Sequence, residues 1–412
     1  MTGHTSAKHR REGFRTVYGE PPEDRIVKVR QYVNNRRFLF LMAWFMELAM
    51  IQVMTAVPFL AVRLGASRMM LGMIGTVSML ASLPFTFTSG RLSEIIGRKR
   101  LIVPAAALVA AASFALLYAR SPVEVMIAYS LAAVFCACYF PPLEAMIGGI
   151  SRPGELAGNM SQFNLGWCIG RLIGGFLVLW LIGVDLTYCF YAGAALAIVP
   201  AFLGAIYRSE HAIQEELPDD HPSRGARHVV LLSITRISNF VAFFALTVAS
   251  VLFARFGKDL GWSEPRTAAV VVMLSVGMGV FMIVTSVSPW WKGKLWPMIA
   301  TQSTLVVSAV CIVFSSSPIL MGVMFFFLGG SAAVTYAAAL YQSLTSRQDL
   351  GTNTGIHEML IVLGALCGSL LGGAVAQIFA SNRAPYVLIA VLATVSVAAS
   401  LWLWKRNPAQ RR

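Results

Sequence analysis

Charged residues are scarce in this sequence. Of its 412 residues only 13% are Asp, Glu, Lys or Arg, whereas 57% are hydrophobic; a soluble domain carries about 25% charged residues. So much apolar surface cannot be buried inside one water-soluble globule of this length, and we interpret it as lipid-facing. The composition therefore excludes an ordinary soluble domain and indicates an integral membrane protein.

Cysteine is also scarce, and the motifs of several enzyme classes are missing. There is no Gly-x-Ser-x-Gly elbow and no phosphate-binding loop, and Ile361 stands where a zinc-protease motif starting at His357 would need its second histidine. The six cysteines lie in apolar stretches without zinc or disulfide spacing, as expected of small core residues: Cys136, Cys138, Cys168, Cys189, Cys311 and Cys367. We expect no enzyme, no cofactor and no metal site.

A cleavable signal peptide is not expected. The first 37 residues are polar and basic and lack a short apolar core followed by a small-residue cleavage site. Their nine Lys and Arg are interrupted by four acids, which favours a flexible tail that sets topology; contact with anionic lipid is the alternative. Positive charge alone does not indicate nucleic-acid binding, and we expect none.

Long apolar runs, in contrast, are abundant. A helix needs about 20 residues to cross a hydrocarbon core of about 30 Å, and twelve runs of that kind lie between charged or Pro/Gly breaks. The alternation typical of strands is absent, and open sheet edges are not tolerated in lipid. We predict an all-α fold of twelve transmembrane helices, near 38–60, 70–89, 101–119, 124–148, 159–183, 187–207, 229–253, 267–287, 297–314, 319–343, 354–378 and 385–404.

Lysine and arginine are unevenly distributed between the loops. If the N-terminus is cytoplasmic, 24 of the 33 Lys and Arg lie in cytoplasmic segments, seven in outer loops and two within helices. Cytoplasmic segments of membrane proteins carry the excess of positive charge. We therefore expect a multi-pass protein of the cell (inner) membrane with both termini in the cytoplasm.

Two pairs of segments indicate an internal duplication. Residues 59–65 (FLAVRLG) match 251–257 (VLFARFG), and 166–175 (GWCIGRLIGG) match 364–373 (GALCGSLLGG), at offsets of 192 and 198. Chance similarity between glycine-rich helices is the alternative, but the similar offsets favour two parallel repeats of six helices. The predicted parts are a cytoplasmic basic tail (1–37), an N-terminal bundle (38–207), a cytoplasmic linker (208–228), a C-terminal bundle (229–404) and a C-terminal tail (405–412).

The loop between the second and third predicted helices carries the most specific motif, Gly90-Arg-Leu-Ser-Glu94-Ile-Ile-Gly97-Arg98-Lys99-Arg100. Its two glycines permit a tight turn, its carboxylate can bond helix ends or basic groups, and its basic run holds the loop in the cytoplasm. The motif resembles the loop signature of the major facilitator superfamily (MFS), with Glu94 where that family usually has Asp. A plain positively charged loop is the alternative.

The resemblance covers residues 36–405 and implies the MFS fold of two six-helix bundles. It also implies a secondary active transporter that moves a small organic solute by alternating access, with proton coupling left open. The expected partners are a small-molecule substrate, protons if transport is coupled to them, and the lipid bilayer around a monomer. The alternative is a transporter-like protein acting as a receptor, a lipid-handling protein or an assembly factor.

Glycines recur every four residues in the fifth and eleventh predicted helices, a spacing that lets two helix backbones approach closely. They are Gly166, Gly170, Gly174, Gly364, Gly368 and Gly372. Static packing and a rocking surface are compatible interpretations. By the resemblance the fifth helix is similar to an antiporter motif, but Arg171 replaces its proline, and the fourth helix lacks the arginine common in proton antiporters. Both departures weaken a prediction of proton-coupled efflux.

Six ionisable residues lie inside predicted helices, where each costs roughly 2.5 kcal/mol or more and marks an interior or aqueous surface. The resemblance implies that helices 1, 4, 7 and 10 line a central cavity. The candidates for binding substrate or protons are Glu47, Arg236, Asn239, Gln52, Trp44 and Glu144. The candidates for intramembrane charge pairing are Arg171, His357 and Glu358. For each of these residues a purely structural role is the alternative.

Overall fold

The protein folds into twelve long helices. A computed structural model describes residues 22–151, 156–207, 226–345 and 350–406, which contain no strand. A short 3₁₀ turn, Leu116–Tyr118, follows the third helix. The helices are α1 Pro22–Arg63, α2 Arg68–Ile96, α3 Arg98–Ala115, α4 Pro122–Ile150, α5 Leu156–Val184, α6 Thr187–Ile206, α7 Ala226–Asp259, α8 Glu264–Val287, α9 Trp296–Phe314, α10 Pro318–Thr345, α11 Leu350–Ile378 and α12 Ala384–Lys405.

All twelve helices are long and apolar enough to cross a membrane, which confirms the predicted fold class. α1 begins at Pro22, well before the apolar run from Phe38. Most of the predicted tails and linker, residues 1–21, 208–225 and 407–412, lie outside the described residues. Because twelve helices cross in alternation, the start of the apolar part of α1 and the end of α12 share one face, called the terminal face below; the other is called the opposite face.

The helices form two bundles, α1–α6 and α7–α12, called the N-half and the C-half. Within the halves α1 packs on α5 and α6, α2 on α4, α7 on α11, and α8 on α10. Between the halves the main contacts are α2 with α11 and α5 with α8, supplemented by α1 with α7. Large apolar side chains such as Trp180 and Phe314 are exposed on the outer surface, as expected of a surface solvated by lipid.

Two adjacent glycines in α5 contact two different helices. A Cβ on Gly174 would lie 3.3 Å from Leu48 of α1, whereas one on Gly175 would lie 3.2 Å from Val272 of α8. The first glycine therefore allows α5 to pack within its own half, and the second allows α5 to approach the other half.

The same division recurs in the second repeat. A Cβ on Gly372 would lie 3.0 Å from Val248 of α7, and one on Gly373 would lie 2.8 Å from the Cα of Gly72 in α2. The predicted glycine stripes thus contribute to packing inside each half, and the glycine that follows each stripe faces the other half.

We expect Gly170→Ala to lower the melting temperature of the purified protein, whereas Gly183→Ala in the same helix leaves it unchanged or raises it. A Cβ at Gly170 would lie 2.7 Å from the carbonyl oxygen of Trp44, while one at Gly183 meets nothing within 4 Å. Overpacking costs about 1–3 kcal/mol, more than the ~1 kcal/mol that alanine gains over glycine in a helix. Equal melting temperatures in detergent would contradict this packing.

Candidate functional site

A buried ion pair joins α1 and α5 inside the N-half. Arg171 donates from Nε and Nη2 to Oε1 of Glu47, at 2.7 and 2.5 Å. The Glu47 residue is only 3% exposed, and the guanidinium carbon of Arg171 lies 4.8 Å from the ring centroid of Trp167. Two candidates that the sequence assigned to different roles, Glu47 to substrate or proton binding and Arg171 to charge pairing, are therefore direct partners.

The close approach of α5 to α1 explains how this pair forms. The Gly170 backbone lies against Trp44, so the next residue, Arg171, reaches Glu47 one turn further along α1. Gln52 reinforces the same contact by donating from Nε2 to the carbonyl oxygen of Gly174 at 2.9 Å. Gln52 is thus occupied in helix packing, and the indole nitrogen of Trp44 is buried without a hydrogen-bond partner among the described residues.

The C-half has neutral residues where the N-half has this ion pair. By the internal repeat Asn239 of α7 corresponds to Glu47, and Ser369 of α11 corresponds to Arg171. Both are fully buried, and in the described part of the chain neither side chain has a hydrogen-bond partner. The charge of the central region is therefore asymmetric between the halves, although the backbone repeats.

Arg236 lies nearer the terminal face of the C-half. Its Nη2 donates to Oδ1 of Asn353 at 2.6 Å, joining α7 to α11, while its Nε is buried without a partner in the described residues. The structure thus joins this predicted substrate residue to α11, the helix that carries the predicted pairing residues His357 and Glu358.

His357 and Glu358 do not form a close pair. The separation of His357 Nε2 from Glu358 Oε1 is 3.9 Å, too long for a hydrogen bond. The imidazole is buried, while the Glu358 side chain is 51% exposed. Glu144 of α4 is exposed as well, and its charge interacts with that of Glu358. One exposed carboxylate therefore lies near the terminal face in each half.

An aromatic cluster crosses between the halves beside these groups. The rings of Trp167 in α5 and Tyr336 in α10 are nearly parallel, at 16°, with centroids 6.5 Å apart. Phe243 and His357 pack against Tyr336 with centroids 6.4 and 5.1 Å away. Sequence reasoning missed Trp167; its position one turn before Arg171 was the available signal.

The predicted loop signature connects helices of the N-half at the terminal face. Gly97 has a φ of +96°, a conformation that favours glycine, so it makes the turn between α2 and α3. Arg98 donates to the carbonyl oxygen of Ala145 at 2.8 Å, and Lys99 donates to those of Ala205 and Tyr207. Basic side chains thus bond carbonyls at the ends of α4 and α6.

The other two signature residues have a different setting. Gly90 lies inside α2, where an added Cβ would meet nothing, so the expectation that it makes a turn is wrong. Glu94 is exposed on the terminal face, and no contact with the C-half follows from its placement.

At the opposite face, ion pairs join the two halves. Arg63 at the end of α1 makes a bidentate pair with Glu264 at the start of α8, at 2.7 and 2.6 Å. Arg68 of α2 binds Asp259 of α7 at 2.7 Å. Asp259 also accepts from Arg255 of α7 at 2.8 Å. The sequence identified these arginines only as outer-loop positive charge, because their partners lie on distant helices.

A further acid strengthens the negative charge at this face. The backbone N–H and the hydroxyl of Thr187 donate to Asp185 at 2.8 and 2.7 Å. These bonds hold the pKa of the Asp185 carboxyl below its ordinary value, and the charge of Arg63 acts in the same direction. Asp185 therefore stays ionised near Arg63.

In the part of the chain that the structure describes, no group of three or more His, Cys, Asp or Glu could hold a metal ion. The described cysteines are all free. The central region offers buried and exposed charges together with an aromatic cluster, a combination suited to holding an organic molecule.

Comparison with known proteins agrees with this architecture. The family model of the Major Facilitator Superfamily matches residues 37–342 and 237–412. The multidrug resistance protein MdtH of Yersinia pestis (strain Pestoides F) is 21% identical over 370 residues, which cover 85% of this chain and 90% of that protein.

Solved structures show the same fold. A mutant of the nucleoside transporter NupG is 11% identical with a TM-score of 0.71, over 90% of this chain and 99% of its own. A bacterial homologue of the lysosomal transporter Spinster, solved inward-facing and unoccupied, is 13% identical with a TM-score of 0.64, over 95% and 96%. With twelve apolar helices, two packed halves and a family match that covers most of the sequence, this chain is a multi-pass membrane protein that belongs to the major facilitator superfamily of secondary transporters.

Proposed function

We propose that this protein moves a small organic solute across the inner membrane by alternating access. The observation that carries the proposal is the placement of charge between the halves. Charged side chains within membrane-spanning helices are costly, yet Glu144 of α4 and Glu358 of α11 are exposed near the terminal-face ends of their helices, one in each half. A cavity open to water accounts for both facts.

We infer that this cavity opens toward the terminal face. Glu144 and Glu358 lie about two turns from the terminal-face ends of α4 and α11. At the opposite face the two halves are held together through Arg63–Glu264 and Arg68–Asp259. With both termini in the cytoplasm, as the distribution of Lys and Arg favours, this is an inward-open state. Transport then requires the opposite-face pairs to separate.

The relatives support an organic solute. One carries the name of a multidrug resistance protein and another that of a nucleoside transporter, and both names point to organic molecules. The aromatic cluster of Trp167, Tyr336 and Phe243 offers the flat apolar surface that such molecules bind. A thermal-shift screen of purified protein against a metabolite library identifies candidates, since a bound ligand raises the melting temperature by mass action. Saturable flux of a hit into proteoliposomes, absent from empty liposomes, then tests the function.

We expect Glu47→Gln to abolish the response of that flux to a pH gradient. Proton coupling requires a carboxylate that gains and loses a proton during the cycle, and Glu47 is a buried acid whose charge is balanced by its ion pair with Arg171. The amide keeps the side-chain volume but cannot be ionised. The measurement is uptake at several imposed pH gradients.

The matched control for this variant is Glu124→Gln. Glu124 lies at the start of α4, where it accepts from the backbone of Arg120 near the surface, so its loss should leave the pH response intact. A full pH response in the Glu47→Gln protein would remove Glu47 from proton coupling. Flux that is lost in both variants would indicate a general defect of assembly.

A further inference from the structure

The loop between α8 and α9 occupies the same place in the C-half as the signature loop does in the N-half. Gly293 has a φ of +66° and Gly97 a φ of +96°, and the two glycines are 196 positions apart, within the range of the other repeat offsets. Around this turn the C-half has the sequence SPWWKGKLW (288–296), whereas the N-half has no tryptophan there. Both halves therefore make the same turn with different side chains around it.

The basic side chains of the two loops have different partners. In the N-half, Arg98 and Lys99 donate to carbonyl oxygens at the ends of α4 and α6. In the C-half, Lys292 and Lys294 are exposed, and their side chains form no hydrogen bond or ion pair with any residue that the structure describes. The cations of the N-half loop are thus used inside the protein, whereas those of the C-half loop remain available to a ligand.

The first turn of α7 and the last turn of α12 lie beside this loop. Trp290 of the loop and Trp404 of α12 pack against the same apolar cluster, which contains Trp291 and Ile234. The guanidinium carbon of Arg227 in α7 lies 5.5 Å from the ring centroid of Trp404. Three segments that are distant in sequence therefore form one surface at the terminal face of the C-half.

This surface carries several cations and no acid. In residues 226–235, 286–298 and 398–406 there is neither Asp nor Glu, while five of the nine tryptophans of the chain are found there. The Lys and Arg of these segments, called the basic patch below, are Arg227, Lys292, Lys294, Lys405 and Arg406. Nζ of Lys292 lies 5.7 Å from the ring centroid of Trp291, and the guanidinium carbon of Arg406 lies 4.1 Å from that of Trp402. Cations and indole rings therefore alternate over the surface.

Exposed apolar groups adjoin the basic patch on the membrane side. Trp296 at the start of α9 and Trp402 near the end of α12 are 54% and 52% exposed, and these two helices pack on each other. Tryptophan prefers the membrane–water interface, and basic clusters beside membrane helices attract anionic headgroups. A soluble anion would use only the cations, whereas a lipid would use the apolar groups as well.

We propose that the basic patch binds an anionic phospholipid, with its phosphate at Lys292, Lys294 and Arg227 and its acyl chains along the exposed surfaces of α9 and α12. The inference goes beyond transport, because it concerns the leaflet at the terminal face and depends on no solute. The signature loop of the N-half has no tryptophan and contains Glu94, so the lipid is held by the C-half alone.

The test measures lipid binding to the full-length protein in detergent micelles. Native mass spectrometry gives the dissociation constants of phosphatidylglycerol and of phosphatidylethanolamine with identical acyl chains. We expect the anionic lipid to bind more tightly. The double variant Lys292→Gln with Lys294→Gln should weaken its binding about tenfold or more, since each basic residue near the headgroup contributes to the attraction. An excess of inorganic phosphate should not displace the lipid, because phosphate lacks the acyl chains.

The matched control removes two exposed cations from the signature loop on the same face. Arg91→Gln with Arg100→Gln changes the net charge equally and should bind phosphatidylglycerol like the unaltered protein. Lys292→Arg with Lys294→Arg keeps the charge and should keep the binding, which separates loss of charge from misfolding.

Four results would each overturn the proposal. They are equal binding of the two lipids, unchanged binding in the Lys292→Gln, Lys294→Gln protein, an equal loss in the control variant, which would indicate diffuse attraction to positive charge, and displacement by inorganic phosphate, which would indicate a site for a free anion. Solute flux is a separate measurement, so failure of this lipid site leaves the transporter proposal intact, and absence of flux leaves the lipid site intact.

Discussion

Linking positions 63 and 264 across the opposite face is expected to stop transport almost completely. Arg63 of α1 and Glu264 of α8 belong to different halves and form a bidentate pair in this conformation. If the halves must separate there to expose the site to the other side, a covalent link holds the cavity open toward the terminal face alone. Cysteines at both positions, joined by a bifunctional maleimide with a reducible spacer, provide the link.

The control for this experiment lies on the same face. Cysteines at Arg120 and Glu124 replace two residues that lie four positions apart at the start of α4, so the same reagent links two positions of one half and leaves the halves free. We expect flux in that variant to survive, and flux in the 63–264 variant to return when the spacer is reduced. Full flux through the linked 63–264 protein would show that the opposite face does not open.

Arg171→Met is expected to destabilise the protein by about 3–5 kcal/mol, the cost of leaving one member of a buried ion pair without its partner. The orphaned charge would be that of Glu47, which is 3% exposed. The double variant Glu47→Gln with Arg171→Met should recover much of the loss, because it removes both charges together. Unfolding free energies in mixed detergent micelles measure all three proteins.

Arg63→Met is the matched comparison, since it also removes an arginine from an ion pair between helices. The side chains of Arg63 and Glu264 are 42% and 31% exposed, so water screens the interaction and the expected loss is about 1 kcal/mol or less. If Arg171→Met and Arg63→Met lowered the unfolding free energy equally, the environment of Glu47 would have to be as hydrated as the protein surface. The two pairs thus differ in environment: the buried pair lies within the N-half, whereas the exposed pair joins the two halves at the opposite face.

The hydrophobic pattern was sufficient for the number and approximate ends of the membrane helices. Both the number and the ends of these helices are local properties of the sequence, because the thickness of the hydrocarbon core sets how many apolar residues must follow one another. The same is true of Gly97, whose position between a helix end and a basic run indicates a turn, and its positive φ confirms it. Gly90 shows the limit of such reasoning, since a glycine inside a continuous helix has the same appearance in sequence.

The sequence alone did not indicate which side chains of different helices contact each other. Several acids in the predicted spans were available to Arg171, and only the rotation of α5 against α1, set by Gly170 and Gly174, selects Glu47.

The position of Glu144 relative to Glu358 likewise depends on how the two halves are placed against each other. The sequence by itself determined which segments cross the membrane, because the free energy of transfer into lipid is a sum of contributions from each residue along the chain. The tertiary structure decided which charges meet, because contact between distant helices depends on their rotation and tilt, which close packing sets only once both halves are formed.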